Sequence, residues 1–226
     1  MAMIIGVMGE SGSGKTTSLR NLDPQTTYYI DCDKKGLSWK GWKSQYNTTN
    51  RNYIRTDFPQ IVMQILRWIN GEKETSDIPP KKDTSGSHIK TVIIDTLNGI
   101  MVADEMRRMK DKGYDKWIDL AASVYEIVDY ALTMRDDLTV IFLAHCQVDH
   151  DENGYMFTRI KTSGKKLDKI TLESKFPIVF LAKVVDGRHL FETQANQSTA
   201  KTPFGAFDES QINNDMAEIL KALEEF

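Results

Sequence analysis

The residues with the clearest chemistry form a glycine-rich run near the start of the chain. Gly9, Glu10, Ser11, Gly12, Ser13, Gly14, Lys15 and Thr16 match the pattern G-x-x-x-x-G-K-[ST] in full. In such a loop the backbone N–H groups surround a β-phosphate, the lysine reaches the β- and γ-phosphates, and the threonine ligates magnesium. The run therefore predicts a phosphate and Mg²⁺ site, which the next residue, Thr17, extends.

A carboxylate that could complete the metal site follows a second apolar run. Asp95 comes directly after Val92-Ile93-Ile94, where a strand-end aspartate can hold the magnesium shell directly or through water. The alternative is that Asp95 or Thr96 caps the helix that follows. No glutamate directly follows Asp95, so a catalytic base, if the chain has one, must come from another segment.

The elements that must position these residues alternate between strand and helix. Short apolar runs that end in polar residues or glycine predict buried parallel strands at 3–8, 27–30, 91–94 and 138–144. Helical periodicity predicts helices at 16–22, 58–69, 97–110 and 117–134. The strand ends share one edge of the sheet, which is where ligands bind in open α/β folds.

The second half of the chain has a different character. Two antiparallel hairpins are predicted, one returning through 155–160 and one formed by 176–185 and 188–192, and a helix is predicted at 211–223. The stretch 71–88 predicts an exposed loop within one domain that covers 1–226. Helical spacing of Trp39, Trp42 and Tyr46 predicts a helix packed on the sheet, and the methionines of 97–110 are expected to fill core.

Composition excludes several classes of protein. A hydrophobic fraction of 40% and a charged fraction of 27% are incompatible with a disordered, collagen-like or disulfide-scaffold chain. The net charge of -3 excludes a uniformly basic nucleic-acid coat. Two cysteines without metal-ligand spacing, no secretion signal and no membrane-spanning run lead us to expect a cytoplasmic protein without a membrane partner.

Together these motifs resemble the RecA-like branch of P-loop ATPases. The resemblance implies an α/β fold with a mainly parallel central sheet, flanking helices and an antiparallel edge hairpin. In that branch the water-activating carboxylate ends the strand after the P-loop helix. The matching stretch here is Tyr29-Ile30-Asp31-Cys32-Asp33. Asp33 thus occupies the position of the family's glutamate and is the candidate base, although the same residues also suit an ordinary loop after a strand.

The resemblance also implies a γ-phosphate sensor and a residue that acts on a neighbouring site. His145, with Gln147 second, lies where the family places a polar residue that couples the γ-phosphate to a DNA-binding loop. Lys201 lies where RecA-like and DnaB-like ATPases insert a lysine into a neighbour's nucleotide site, while Pro203 replaces the arginine of that pair. The alternatives are a satisfied strand-end histidine and a surface lysine in a turn.

A basic segment falls where the family carries its single-strand-binding loop. Lysines can neutralise phosphates and aromatic rings can stack on bases, as in sequence-tolerant single-strand binding, but a solvated basic loop would have the same composition. The candidate DNA-binding residues are Arg159, Lys161, Lys165, Lys166 and Lys169.

Compact RecA-like proteins of bacteriophages, some of them Sak-type single-strand annealing recombinases, resemble the chain over nearly its whole length. This implies an ATP- and Mg²⁺-dependent ATPase of phage DNA recombination or replication in the host cytoplasm. Its expected partners are single-stranded DNA, a single-strand-binding protein and further copies of itself. The alternatives are a nucleotide-dependent switch with a protein partner and little hydrolysis and, third, a small-molecule kinase.

Overall fold

A computed structural model describes residues 1–72, 86–110, 115–162 and 172–224. Its strands are β1 (Met3–Gly9), β2 (Thr27–Asp31), β3 (Tyr53–Arg55), β4 (Thr91–Asp95), β5 (Thr139–His150), β6 (Met156–Ile160), β7 (Ile178–Val185), β8 (Arg188–Glu192) and β9 (Gln211–Asn213). Its helices are α1 (Trp42–Gln45), α2 (Pro59–Ile69), α3 (Leu97–Arg107), α4 (Asp115–Thr133) and α5 (Met216–Leu223).

The strands of the described residues form one sheet in the order β3-β2-β4-β5-β1-β7-β8-β9. Pairing is parallel from β3 to β7, and it is antiparallel between β7 and β8 and between β8 and β9. The outer part of β5 pairs with β6 in a separate antiparallel hairpin. This is the predicted α/β fold of a P-loop NTPase, with a mostly parallel sheet and antiparallel edge strands.

Apolar side chains leave both faces of the sheet, so it is covered on both sides. Along β1, Ile4 and Met8 point to one core, while Ile5 and Val7 point to the other, as the two-residue period of a strand requires. Helices α2, α3 and α4 pack on the first face, and α5 and Leu19 pack on the second. Since both faces are buried, polar chemistry is confined to the strand ends.

Several predicted boundaries were wrong. Instead of a helix over 16–22, a 3₁₀ turn at Thr17–Leu19 forms. The predicted helix 211–223 divides into β9 and α5, with the Asp215 side chain accepting a hydrogen bond from Ala217 N–H (3.0 Å) as the helix cap.

Other predictions differ in extent. The fourth predicted strand continues past His145 to His150, because β6 supplies a partner for this extension. Helix α1 has only four residues. Met106 and Met109 are exposed, so the expectation that they fill core was wrong, whereas Met101 is buried. In the predicted loop 71–88, Gly86–His88 form a 3₁₀ turn, and 73–85 lie outside the described residues.

Candidate functional site

The glycine-rich loop leaves the end of β1 at the centre of the sheet. Gly9 pairs with His145 of β5 on one side and with Ala182 of β7 on the other, so strand ends flank the loop. Lys15 folds back over the loop, and its Nζ donates hydrogen bonds to the carbonyls of Gly9 and Glu10, both at 2.8 Å. These contacts hold the ammonium group inside the loop, where it would contact a bound phosphate.

Burial lowers the pKa of Lys15, and the nearby Asp95 carboxylate opposes this shift. The side chain is only 6% exposed, so its charge has little water to stabilise it. An anion entering the loop would supply that stabilisation. The arrangement is therefore suited to binding phosphate groups with a desolvated cation.

Asp95 ends β4 and turns its carboxylate towards the loop. Its Oδ2 accepts hydrogen bonds from Thr16 Oγ1 at 2.9 Å and from Tyr29 OH at 2.5 Å. Its Oδ1 is buried and has no hydrogen-bond partner among the described residues. Burial raises the pKa of Asp95, while the hydrogen bond from Tyr29 opposes the shift.

This unpaired carboxylate oxygen is the test of whether a magnesium ion fits. Mg²⁺ is commonly bound through one or two carboxylates together with phosphate oxygens and water. Asp95 Oδ1 provides an oxygen without a competing donor, and Thr16 Oγ1 lies in contact with the same carboxylate. The residues present therefore fit a cation held between Thr16, Asp95 and a bound phosphate chain.

Asp33 lies close to Asp95, at the end of β2. Its Oδ1 accepts a hydrogen bond from Thr96 Oγ1 at 2.9 Å, and its Oδ2 accepts one from Lys35 Nζ at 2.6 Å. A Cβ on Gly99 would lie 2.4 Å from Asp33 Oδ1, so only glycine lets the first turn of α3 approach this carboxylate. Thr96 also caps α3 by accepting from Gly99 N–H at 3.0 Å, which is the capping role that the sequence left open between Asp95 and Thr96.

Lys35 was missed by sequence reasoning. Burial on its own would lower the pKa of Lys35, but the hydrogen bond to Asp33 and the charge of Asp95 raise it. The ammonium group thus lies within electrostatic reach of both carboxylates. Its position two residues after Asp33 is a signal that the sequence contained, but only the turn between them brings the two side chains together.

His145 lies beside the loop, half-buried, within β5. Burial lowers its pKa, and the charge of Lys15 lowers it further, so the neutral imidazole is favoured. Its backbone N–H donates to Asn98 Oδ1 at 2.7 Å, and its carbonyl accepts from Lys161 N–H at 2.7 Å. Asn98 Nδ2 in turn donates to the Lys161 carbonyl at 2.8 Å.

Asn98 therefore links the strand of His145 to the start of the basic segment. It lies in the first turn of α3, two residues after Thr96, and its side chain is buried. Sequence reasoning did not identify it, because the two contacts join segments 47 and 63 residues away along the chain. Gln147 is further out on β5, paired with Arg159 of β6.

Of the candidate DNA-binding residues, Arg159 and Lys161 lie in the described part of the chain. Arg159 is buried, and its Nη1 donates to Asp149 Oδ2 at 3.2 Å, with Glu173 also nearby. This burial keeps the Arg159 guanidinium away from a DNA strand on the surface. Lys161 is exposed. Lys165, Lys166 and Lys169 lie outside the described residues.

Lys201 lies away from the chain's own phosphate loop. It pairs with Val179 through two backbone hydrogen bonds of 2.8 and 2.9 Å, and Val179 pairs with Gly6, three residues before the end of β1. The Lys201 side chain is exposed. The structure thus groups Lys15, Asp33, Asp95 and His145 and places Lys201 apart from them.

Comparison with known proteins shows which family this arrangement belongs to. The profile of a family described as an AAA domain (AAA_24) matches residues 1–204. The chain belongs to this family. It is therefore a P-loop nucleotide-binding domain of the AAA ATPase type. No curated protein matches the chain. None of the helices in the described residues has the length and apolar character needed to cross a bilayer.

Proposed function

We propose that this AAA-family domain is an ATP- and Mg²⁺-dependent ATPase that binds or anneals single-stranded DNA in phage recombination or replication. The proposal combines the nucleotide site with the resemblance to compact RecA-like phage proteins of the Sak type. The observation that carries its nucleotide- and metal-binding part is the contact between Thr16 and Asp95, whose buried Oδ1 has no hydrogen-bond partner among the described residues.

Each residue of the site has a chemical role in this proposal. Lys15 holds the β- and γ-phosphates, while Thr16 and Asp95 hold the metal. Bound Mg²⁺ would neutralise charge on the phosphate oxygens. Asp33 accepts a proton from the attacking water, once Lys35 turns from its carboxylate to the more strongly charged γ-phosphate. His145 donates a hydrogen bond to a phosphate oxygen through its neutral ring.

The link to DNA is proposed to run through Asn98. A shift of His145 towards the γ-phosphate would move the His145 N–H against Asn98 Oδ1, and Asn98 also holds the carbonyl of Lys161. Lys161 begins the basic segment, and Lys165, Lys166 and Lys169 continue it. Nucleotide binding would thereby change how the segment presents cations to DNA phosphates.

The exposure of Lys201 supports a homo-oligomer. The exposed Lys201 side chain would complete the nucleotide site of a neighbouring copy, as an arginine finger does in trans. Several copies of the protein would bind side by side along one strand of single-stranded DNA. A single-strand-binding protein is then a natural partner, since it covers the same strand.

ATP hydrolysis measured with and without single-stranded DNA tests the proposal. Lys15→Met provides the blank. We expect DNA to stimulate phosphate release in the wild type and not in the blank. Tight ATP binding without turnover under both conditions would refute the ATPase part, and turnover indifferent to DNA would refute the DNA part.

A pair of variants tests the coupling separately. Asn98→Ala removes both contacts, whereas Asn98→Asp keeps an acceptor for His145 N–H and removes the donor to Lys161. We expect both variants to bind ATP but to lose the effect of ATP on DNA affinity. If ATP changes the DNA affinity of both variants as it does for the wild type, Asn98 is not the link.

One observation favours the alternative, a nucleotide-dependent switch with a protein partner and little hydrolysis. Both oxygens of Asp33 already accept hydrogen bonds, from Thr96 and Lys35, which opposes its use as a base. Aspartate is also one methylene shorter than glutamate. A Lys35→Met variant separates the two functions: faster hydrolysis indicates a restrained ATPase, and unchanged slow turnover indicates the switch.

A further inference from the structure

The Asp95 carboxylate is held by a side chain to which the proposed hydrolysis gives no role. Tyr29 lies on β2, the strand that pairs with β4, and its OH donates to Asp95 Oδ2 at 2.5 Å. Both side chains are almost completely buried. Because water does not reach either group, this hydrogen bond replaces the hydration that each loses on burial. Tyr29 is therefore a fixed donor to the carboxylate at the end of β4.

Both side chains that donate to Asp95 among the described residues use the same oxygen. Thr16 Oγ1 donates to Oδ2 at 2.9 Å, as Tyr29 OH does, while the buried Oδ1 accepts no hydrogen bond from a described residue. A carboxylate oxygen has about two acceptor positions, so two donors fully occupy Oδ2. Oδ1 is the oxygen that remains for a cation. Thr16 also remains available, because a hydroxyl that donates its proton keeps acceptor lone pairs of its own.

The surroundings of Tyr29 fix its hydroxyl independently of the phosphate loop. The Tyr29 ring contacts Tyr46 edge-on, with ring centroids 5.6 Å apart, and its centroid lies 6.2 Å from that of Tyr53. All three rings are buried in the core on the second face of the sheet. Thr16, in contrast, belongs to the loop itself and is half-buried. Of the two donors, Tyr29 is therefore the one whose position is set by the sheet.

The number of oxygens that a carboxylate offers matters for the choice of metal. Mg²⁺ requires near-ideal octahedral geometry, whereas Ca²⁺ takes six to eight oxygens and accepts carboxylates that bind through both of theirs. With Oδ2 occupied by two donors, Asp95 can offer only Oδ1. This arrangement suits Mg²⁺ and denies Ca²⁺ the two-oxygen contact that it can use.

We propose that Tyr29 is a positioning residue that sets the metal preference of the site: its hydroxyl occupies Asp95 Oδ2 and restricts the carboxylate to binding a cation through Oδ1. The inference rests on the proposed nucleotide and Mg²⁺ site. Tyr29 acts through Asp95 and not on the nucleotide itself. Removal of the hydroxyl would release Oδ2, so that the carboxylate could turn and present both oxygens. The preference for Mg²⁺ over Ca²⁺ would then decrease.

The chain offers a matched control for the test. Tyr29→Phe removes the donor and keeps the ring that packs on Tyr46 and Tyr53. Tyr53→Phe removes a similar donor, because Tyr53 OH donates at 2.7 Å to Asp31 Oδ2, one strand further from the phosphate loop than Asp95. Asp95→Asn, alone and combined with Tyr29→Phe, completes a double-mutant cycle, which shows whether Tyr29 acts through Asp95.

The affinity of each variant for ATP is measured by calorimetry in EDTA, in excess Mg²⁺ and in excess Ca²⁺, with a thermal melt as the folding check. We expect Tyr29→Phe to keep the affinity in EDTA and to lose about three- to tenfold of the gain that Mg²⁺ gives, the usual effect of one hydrogen bond. The gain from Ca²⁺ should stay the same or rise. Tyr53→Phe should match the wild type, and Tyr29→Phe should cause no further loss in the Asp95→Asn background.

Three outcomes would overturn this inference alone. They are an unchanged Mg²⁺ gain in Tyr29→Phe, an equal loss of the Mg²⁺ and Ca²⁺ gains in that variant, and a further loss of the Mg²⁺ gain when Tyr29→Phe is added to Asp95→Asn. If Tyr29→Phe alone is too unstable to titrate, the comparison in the Asp95→Asn background decides. If the wild type does not bind ATP, or binds it no more tightly with Mg²⁺ than in EDTA, the proposed function fails and the inference fails with it.

Discussion

The nucleotide end of the sheet and the region around the β5–β6 hairpin and Lys201 are built in different ways. At the nucleotide end, side chains hold one another: Thr16 and Tyr29 donate to Asp95, and Thr96 and Lys35 donate to Asp33. At the hairpin and Lys201, backbone pairing holds the chain while several side chains face water. These include Val148 (57% exposed), Tyr155 (73%) and Met156 (60%).

This difference separates what one chain can do alone from what needs another molecule. Groups fixed by side-chain hydrogen bonds are positioned before a ligand arrives, so nucleotide binding should be a property of the isolated chain. Exposed side chains on a hydrogen-bonded backbone are not fixed in this way. We expect them to function only in contact with a DNA strand, a protein partner or a second copy of the chain.

The largest effect is expected from Lys15→Met. Loss of the ammonium group should reduce ATP hydrolysis more than about 100-fold, since a charge on the reacting phosphates is removed. The melting temperature should stay the same or rise, because the buried cation has a lowered pKa and is costly to the fold. Phosphate release and calorimetry measure the two effects. Lys221→Met, at an exposed site on α5, is the control, and a large drop in melting temperature would make Lys15 a structural residue instead.

Asp95→Asn should separate metal binding from folding. The amide keeps the size of the side chain but lacks the charge for Mg²⁺, so the magnesium-dependent gain in nucleotide affinity should fall about 10- to 100-fold. Because burial raises the pKa of Asp95, the folded state binds a proton more readily than the unfolded chain does, so stability falls as the pH rises between the unfolded and the folded pKa. Asp95→Asn should therefore melt no lower than the wild type at pH 7.5. An unchanged magnesium requirement in a fluorescent-nucleotide titration would contradict the assigned role.

Much of the nucleotide end was predictable, because its signals are local. The loop Gly9–Thr16 and Asp95 lie at the ends of apolar runs that can be recognised in the sequence. The contacts of Asn98 were not predictable, since they join segments 47 and 63 residues apart. The contact of Lys35 with Asp33 depends on the shape of the turn between them. Strand β9 was missed for a related reason: it forms because β8 offers an unpaired edge, which outweighs the helical pattern of the residues after it.

Lys201→Ala tests the exposed region directly. We expect hydrolysis in the presence of single-stranded DNA to fall about tenfold, with stability changed by less than about 0.5 kcal/mol, as for most surface substitutions. Mixing Lys201→Ala with Lys15→Met should restore part of the activity. In the mixture, a site with its own Lys15 can receive Lys201 from the neighbouring chain. If mixing gives no recovery, Lys201 does not act between copies.

The smallest effect is expected from the pH dependence of stability at His145. Burial and the charge of Lys15 lower its pKa below the ordinary value of about 6.5, so the folded state keeps the ring neutral. As the pH falls through about 6.5, the unfolded chain gains a proton that the folded chain does not, and stability is lost until the folded pKa is reached. His145→Gln has no imidazole at this position and does not show this loss. If the wild type is the more stable protein at pH 7.5, its free energy of unfolding should therefore approach that of His145→Gln as the pH falls to 5.5. Urea unfolding at both pH values measures this, with His150→Gln, at the exposed end of β5, as the control. If the free energy of unfolding of His145→Gln falls between pH 7.5 and pH 5.5 as much as that of the wild type, other groups cause the acid sensitivity. This result would also contradict the proposed hydrogen bond from a neutral His145 ring to a phosphate oxygen.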